Sequence, residues 1–112
     1  MDVESYRDYC IRKEGVTESF PFGGDTLVFK VYGKMFALAG IDDFQLINLK
    51  NEPETSVKLR EEYHGITPGY HMNKTHWNSV NPQSDVPDSV IRKLIDTSYN
   101  LVLNSIPKSK RI

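Results

Sequence analysis

TLVFKVYGKMFALAG, residues 26–40, is the stretch that decides the fold. Two runs rich in Val, Leu, Phe and Ala flank Gly33-Lys34, the composition of two strands around a tight turn. Glycine first in the pair is the pattern of a two-residue type II′ turn, and such a turn sets the register of its strands. Tyr32 then faces Met35, Val31 faces Phe36, Lys30 faces Ala37 and Phe29 faces Leu38. In that register Leu27, Phe29, Val31, Phe36 and Leu38 share one side, which reads as core. Val28, Lys30, Tyr32, Met35, Ala37 and Ala39 share the other, mixed side.

Upstream of this hairpin, Asp2 is placed to cap a helix over residues 3–13, with Val3, Tyr6 and Cys10 on one stripe and Gly15 as its stop. Downstream, Asp42-Asp43 turns the chain into a third strand over residues 45–50. Asn51 is then expected to cap a second helix over residues 52–63, with Pro53 in the first turn, Glu54 placed for a capping box and Gly65 beyond its end. Residues 67–82 read as a looser hairpin with strands at 70–72 and 76–80. The last helix starts after Asp85 and reaches about Ile106, its apolar arc built from Val90, Ile91, Leu94, Ile95, Leu101 and Val102. Ser98 and Ser105 interrupt that arc, and small residues there let a helix approach a sheet closely. The tail, residues 108–112, is basic and expected to fray. The order is helix, three strands, helix, two strands, helix: an α+β domain in two layers, with an antiparallel sheet whose second face is left available.

At 112 residues the chain suits one domain, and five Phe, six Tyr and one Trp supply a core. Fourteen Lys and Arg stand against 15 Asp and Glu, so the overall charge does not advertise a polyanion partner. A single cysteine excludes an internal disulfide and a Cys-rich zinc site. The polar start MDVESYRDYC lacks a signal-peptide pattern, and no apolar run approaches the roughly 20 residues of a membrane helix. A cytoplasmic protein without membrane attachment is the expectation.

PGYHMNKTHWN, residues 68–78, is the segment densest in functional side chains. A metal site would need a third ligand beside His71 and His76, and the segment holds no carboxylate. A nucleic-acid surface would use Lys74 on phosphate, Asn73 or Asn78 on a base edge, and Trp77 or Tyr70 for stacking. The plainer alternative is a hairpin in which Trp77 and Tyr70 complete the core and Asn73 stabilises the turn. Lys30, Lys34 and Lys50, with Lys74, would form a positive surface or simply protect strand edges. No nucleophile elbow or phosphate loop is present, and Asp42 and Asp43 are adjacent and so diverge on an extended chain. Neither an enzyme nor a cofactor is expected.

Several stretches taken together resemble the MmcQ/YjbR-like family. They are GVTESFPFGGDTLVFKVYGKMFAL, INLK, GITPGYHMNKTHWNSV and VPDSVIRKLIDTSYNLVLNSIPK, which span most of residues 9–108. The resemblance implies a compact α+β fold similar to type III secretion chaperones, with the same order of elements. It also implies a bacterial, cytoplasmic, DNA-binding protein with a double-wing motif. Among the positions matching the family's motifs, Lys30, Lys34, Lys50, His71, Asn73, Lys74, His76 and Asn78 are polar enough to touch a ligand. Apolar positions such as Phe22, Tyr70 and Trp77 are expected to hold the fold. Double-stranded DNA is the partner this implies, and so few donors make weak, largely non-specific binding the expectation; a protein partner on the open sheet face is the alternative.

Overall fold

The computed structural model describes residues 1–111 as three α-helices over a single six-stranded antiparallel sheet. In chain order the elements are α1 (Val3–Ile11), β1 (Val16–Ser19), β2 (Thr26–Val31), β3 (Lys34–Gly40), β4 (Ile47–Lys50), α2 (Pro53–Glu62), β5 (Ile66–Pro68), β6 (Trp77–Val80) and α3 (Asp88–Asn104). The strands lie in the order β1-β2-β3-β4-β6-β5. The two-layer α+β reading holds, with one more strand than expected. Strand β1 is a four-residue edge strand of sequence VTES, too short and polar to stand out by pattern. No helix among the described residues is long and apolar enough to cross a membrane.

The β2–β3 hairpin departs from the expected register. Its turn residues are Tyr32 and Gly33, with φ of 46° and 87°, so Val31 faces Lys34 and Lys30 faces Met35. Positive φ at both positions is the type I′ geometry, which matches the twist of the flanking strands. A tyrosine tolerates this conformation poorly, and its surroundings hold it there. The Tyr32 N–H donates to the Gly15 carbonyl at 3.0 Å, and its ring lies so close to Gly15 that a side-chain carbon there would fall 2.5 Å from Tyr32 Cζ. A bulge follows between Phe29 and Lys30, leaving Phe36 as the extra residue on β3, and beyond it Phe29 faces Ala37 and Val28 faces Leu38.

The bulge reassigns the faces. Leu27, Phe29, Val31, Phe36, Ala37 and Ala39 pack in the core beneath the helices. Leu38, expected beside Phe29, instead pairs with Val28 and Asn48 on the side away from the helices. Lys30 does lie opposite Phe29, since it alternates with Phe29 and Val31 along β2.

The core is closed by α1 and α3. Tyr6 of α1 meets Phe29 edge-on at 5.4 Å, and Tyr99 of α3 meets Phe36 edge-on at 5.3 Å. Ile91, Leu94, Ile95 and Val102 complete the buried stripe of α3, as its periodicity predicts. Asp2 caps α1 by accepting from the Ser5 N–H at 2.8 Å. The cap expected for α2 is not formed. Asn51 Oδ1 accepts from Glu52 N–H, one residue too early to cap, and Glu52 is the N-cap of α2. Asp85 turns away from α3 and accepts from the N–H groups of His64 and Gly65 at 2.9 and 2.8 Å, so Pro87 begins α3 without a side-chain cap. The basic tail forms a 3-10 turn over Lys108–Lys110, and Ile112 lies outside the described residues.

Candidate binding face

One row of side chains crosses the whole sheet on the side away from the helices: Ser19, Val28, Leu38, Asn48, Ser79 and Thr67. Two loops border this face, one over residues 20–25 and one over residues 69–76. Between them lies a cleft of about 550 Å³. Leu38 and Asn48 line it from the sheet, Leu46 from the segment entering β4, Phe22 from the first loop, and Tyr70, His71 and Met72 from the second. Phe22 is 67% exposed and Tyr70 60%. Neither holds the core, contrary to the expectation for the apolar motif positions.

Residues 70–72 are not a strand. They belong to the loop joining β5 to β6, and a small polar network beneath them fixes its shape. The Tyr70 N–H donates to Ser79 Oγ at 2.9 Å, the Ser79 hydroxyl donates to Asn48 Oδ1, and Asn48 Nδ2 donates back to the Tyr70 carbonyl at 3.4 Å. Ser79 and Asn48 are buried and face each other across β4 and β6, so sheet register places the network. His71 follows with φ of 58°, its ring tilted against Tyr70 at a centroid distance of 4.0 Å. Positive φ at a bulky residue is uncommon and marks a loop held by its surroundings.

The remaining polar candidates in this segment are engaged in building the loop. Asn73 Oδ1 accepts from the N–H groups of Thr75 and His76, an Asx turn. Lys74 Nζ donates to the Gly69 carbonyl at 2.9 Å. The Lys74 carbonyl in turn accepts from the Arg60 guanidinium. Asn78 requires a correction: it is 2% exposed, on the helix side of the sheet, where its Oδ1 accepts from Arg60 Nε at 2.7 Å. A base contact by Asn78 is therefore sterically closed. Trp77 is buried, but on the helix-free side of the sheet and outside the core cluster, and Tyr70 stands in solvent, so neither completes the core.

Lys30 and Lys50 lie on the helix-free side at the hairpin end, whereas Lys34, paired with core-facing Val31, lies on the other side. No ion pair among the described residues involves any of the three. His76 is exposed in the second loop but does not line the cleft. Thus the eight candidates do not form one surface. Lys30 and Lys50 mark one end of the face, Lys34 lies on the sheet's other side, His71 borders the cleft, Asn73 and Lys74 shape a loop, and Asn78 is buried. Among the described residues no three His, Cys, Asp or Glu side chains converge as a metal site would require. Phe22, Leu38 and Asn48 are not among the candidates: the resemblance gives Phe22 to the fold, the expected register gives Leu38 to the core, and Asn48 reads as part of the third strand.

Comparisons with known proteins agree with this architecture. The chain matches the YjbR family over residues 11–101. It is 31% identical to the uncharacterised protein YjbR of Escherichia coli K12, over 99% of this chain and 95% of that protein. It is 42% identical to the uncharacterised protein YbdF of Escherichia coli O157:H7, over 80% of this chain and 74% of that one. The crystal structure of Deinococcus radiodurans protein DR2400, a DUF419 domain, superposes with a TM-score of 0.91 at 37% identity, covering 98% of this chain and 85% of that chain. A Pseudomonas syringae protein superposes with a TM-score of 0.78 at 29% identity, covering 91% and 99% of the two chains. With its sequence matched over most of its length and its fold shared with solved relatives, this chain belongs to the YjbR family.

Proposed function

We propose that the protein is a non-catalytic binding module that receives a segment of a partner protein on the helix-free face of its sheet. The observation that carries this reading is the cleft, whose apolar sheet-side lining is flanked by two aromatic rings left largely in solvent. Exposed aromatic rings beside a concave apolar surface are the usual anchor sites of interfaces. The cleft's size falls within the range of ligand-binding clefts. A peptide display library panned on the protein tests the reading. Selected peptides are expected to share an anchoring side chain with a broad planar or apolar surface, and to lose at least about tenfold in affinity to a Phe22→Ala, Tyr70→Ala variant. Failure of any peptide family to enrich overturns it.

Duplex DNA is the second reading, favoured by Lys30 and Lys50 standing unpaired at one end of the same face. Against it, Asp25 and Asp43 border the other end. Thr26 lies only about 13 Å from Lys30 at the rise of a strand. A duplex spanning the face would therefore press phosphate on carboxylate. If DNA binds through the lysines, changing Lys30 and Lys50 to Ala shallows the salt slope by about two units. Absence of wild-type binding to a labelled duplex at low salt removes this reading.

A further inference from the structure

The lining of the cleft carries two carboxylates, Asp25 and Asp43, and no Lys or Arg. Both carboxylates converge over Gly40. A side-chain carbon at that glycine would lie 3.3 Å from Asp25 Oδ2 and 4.0 Å from Asp43 Oδ1. Neither aspartate is in an ion pair among the described residues. The hydrogen bond to Asp25 is a long one, from the Asp42 N–H at 3.4 Å. The same cleft presents the open rings of Phe22 and Tyr70. Carboxylates with free lone pairs beside exposed aromatic faces suit a cation with a flat, weakly hydrated head.

We infer that the cleft is a guanidinium site: it takes an arginine side chain of the partner segment, stacked on the rings of Phe22 and Tyr70 and paired with Asp25 and Asp43. Arginine fits better than lysine because its planar group stacks on rings and offers a fork of donors to carboxylates, whereas an ammonium is a strongly hydrated point charge. The cleft volume leaves room for residues flanking the arginine. The charge layout agrees, since the acidic end of the face would hold the arginine while Lys30 and Lys50 await acidic residues further along the segment. This inference rests on the protein-interaction reading for the source of the arginine, and its test separates the two.

The test is a titration of the ¹⁵N-labelled protein, followed by amide shifts, with three small probes: N-acetyl-arginine amide, its neutral isostere N-acetyl-citrulline amide, and N-acetyl-leucine amide. Saturable shifts are expected at Gly40, Tyr70 and His71 with the arginine probe, and at least about tenfold weaker binding of the citrulline probe. An Asp25→Asn, Asp43→Asn variant, its spectrum otherwise superposable on wild type, should treat arginine and citrulline alike. Equal responses to arginine and citrulline in wild type, a stronger response to leucine, or no response to any probe would each overturn the guanidinium site. Enrichment of arginine-free peptides from the library would then leave the protein-interaction reading standing. An empty library together with silent probes would remove both.

Discussion

Asn48 holds Tyr70 by its backbone, donating from Nδ2 to the Tyr70 carbonyl at 3.4 Å while its Oδ1 accepts from the Ser79 hydroxyl that receives the Tyr70 N–H. A residue in the sheet thereby sets the height and aim of a ring in a loop 22 positions away. Replacing Asn48 by Ala leaves the Ser79 hydroxyl without its acceptor and the Tyr70 carbonyl without its donor. Destabilisation of about 1–3 kcal/mol is expected from denaturant midpoints. Amide exchange at residues 70–72 should accelerate more than the global change accounts for, because the loop loses its tether. Uniform acceleration across the sheet would show that the network is not what holds the loop.

Ser98 makes a comparable bridge on the helix side. Its hydroxyl donates to the Phe36 carbonyl at 2.6 Å and accepts from the Lys50 N–H at 2.9 Å. The β3–β4 ladder runs from Ala39 and Ile47 to Ala37 and Leu49, and the bulge puts Phe36 just past its end. A serine in the apolar arc of α3 therefore satisfies two buried backbone groups. Ser98→Ala removes both partners while adding little volume change, so a loss of about 1–3 kcal/mol is expected. A denaturant midpoint equal to wild type would mean the two strands can close on each other without the helix.

The interruption of that arc is legible in the sequence, and so is the approach of helix to sheet that a small residue permits. Which backbone groups the hydroxyl meets is not, because the bulge that frees Phe36 follows from contacts distant in sequence. Gly33 reads as a turn residue from sequence, yet a glycine serves equally as first or second of two turn positions. The choice falls to Gly15, 17 positions before Tyr32, which accepts the Tyr32 N–H and leaves space for its ring. Alternation then misplaces Leu38, since one inserted residue moves every side chain beyond it to the opposite face.

The candidate site was legible as a region and not as a geometry. Residues 68–78 stand out by composition, but Asn73, Lys74 and Asn78 are polar for the sake of the loop and of Arg60. Side chains that shape a binding loop and side chains that touch a ligand draw on the same residue types, so composition does not separate them. Phe22 is an apolar position of the motif that the chain shares with the family it resembles, and such a position is expected to hold the fold. Its exposure follows from the path of residues 20–25 across the sheet, where Gly23 and Gly24 both take positive φ.

Asp85 ties the end of α2 to the segment entering α3. The N–H groups of Gly65 and then His64 hold its carboxyl below the ordinary 3.8. A carboxyl depressed in the folded state adds stability that is present above its unfolded value and is lost as pH falls through the folded one. Wild type should therefore lose stability below about pH 4 more steeply than an Asp85→Asn variant. Parallel acid unfolding curves for the two proteins would show that Asp85 is no part of the acid response.

Cys10 lies fully buried on α1 against the sheet, and burial pushes its thiol up to about 12 from an ordinary 9.0; Lys13 opposes that rise and Asp96 adds to it. The thiolate is the reactive form, and at pH 8 a thiol with that value is ionised on the order of one part in 10⁴. Native protein should therefore resist an aromatic disulfide reagent, reacting only as fast as α1 opens, while protein in denaturant reacts at once. Raising the pH from 8 to 9 should increase native labelling far less than the tenfold that an exposed thiol below its pKa would show, once opening limits the rate. The absorbance of the released aromatic thiol follows the reaction directly. Stoichiometric labelling of native protein within the mixing time would place Cys10 at the surface and detach α1 from the core that Tyr6 and Phe29 build together.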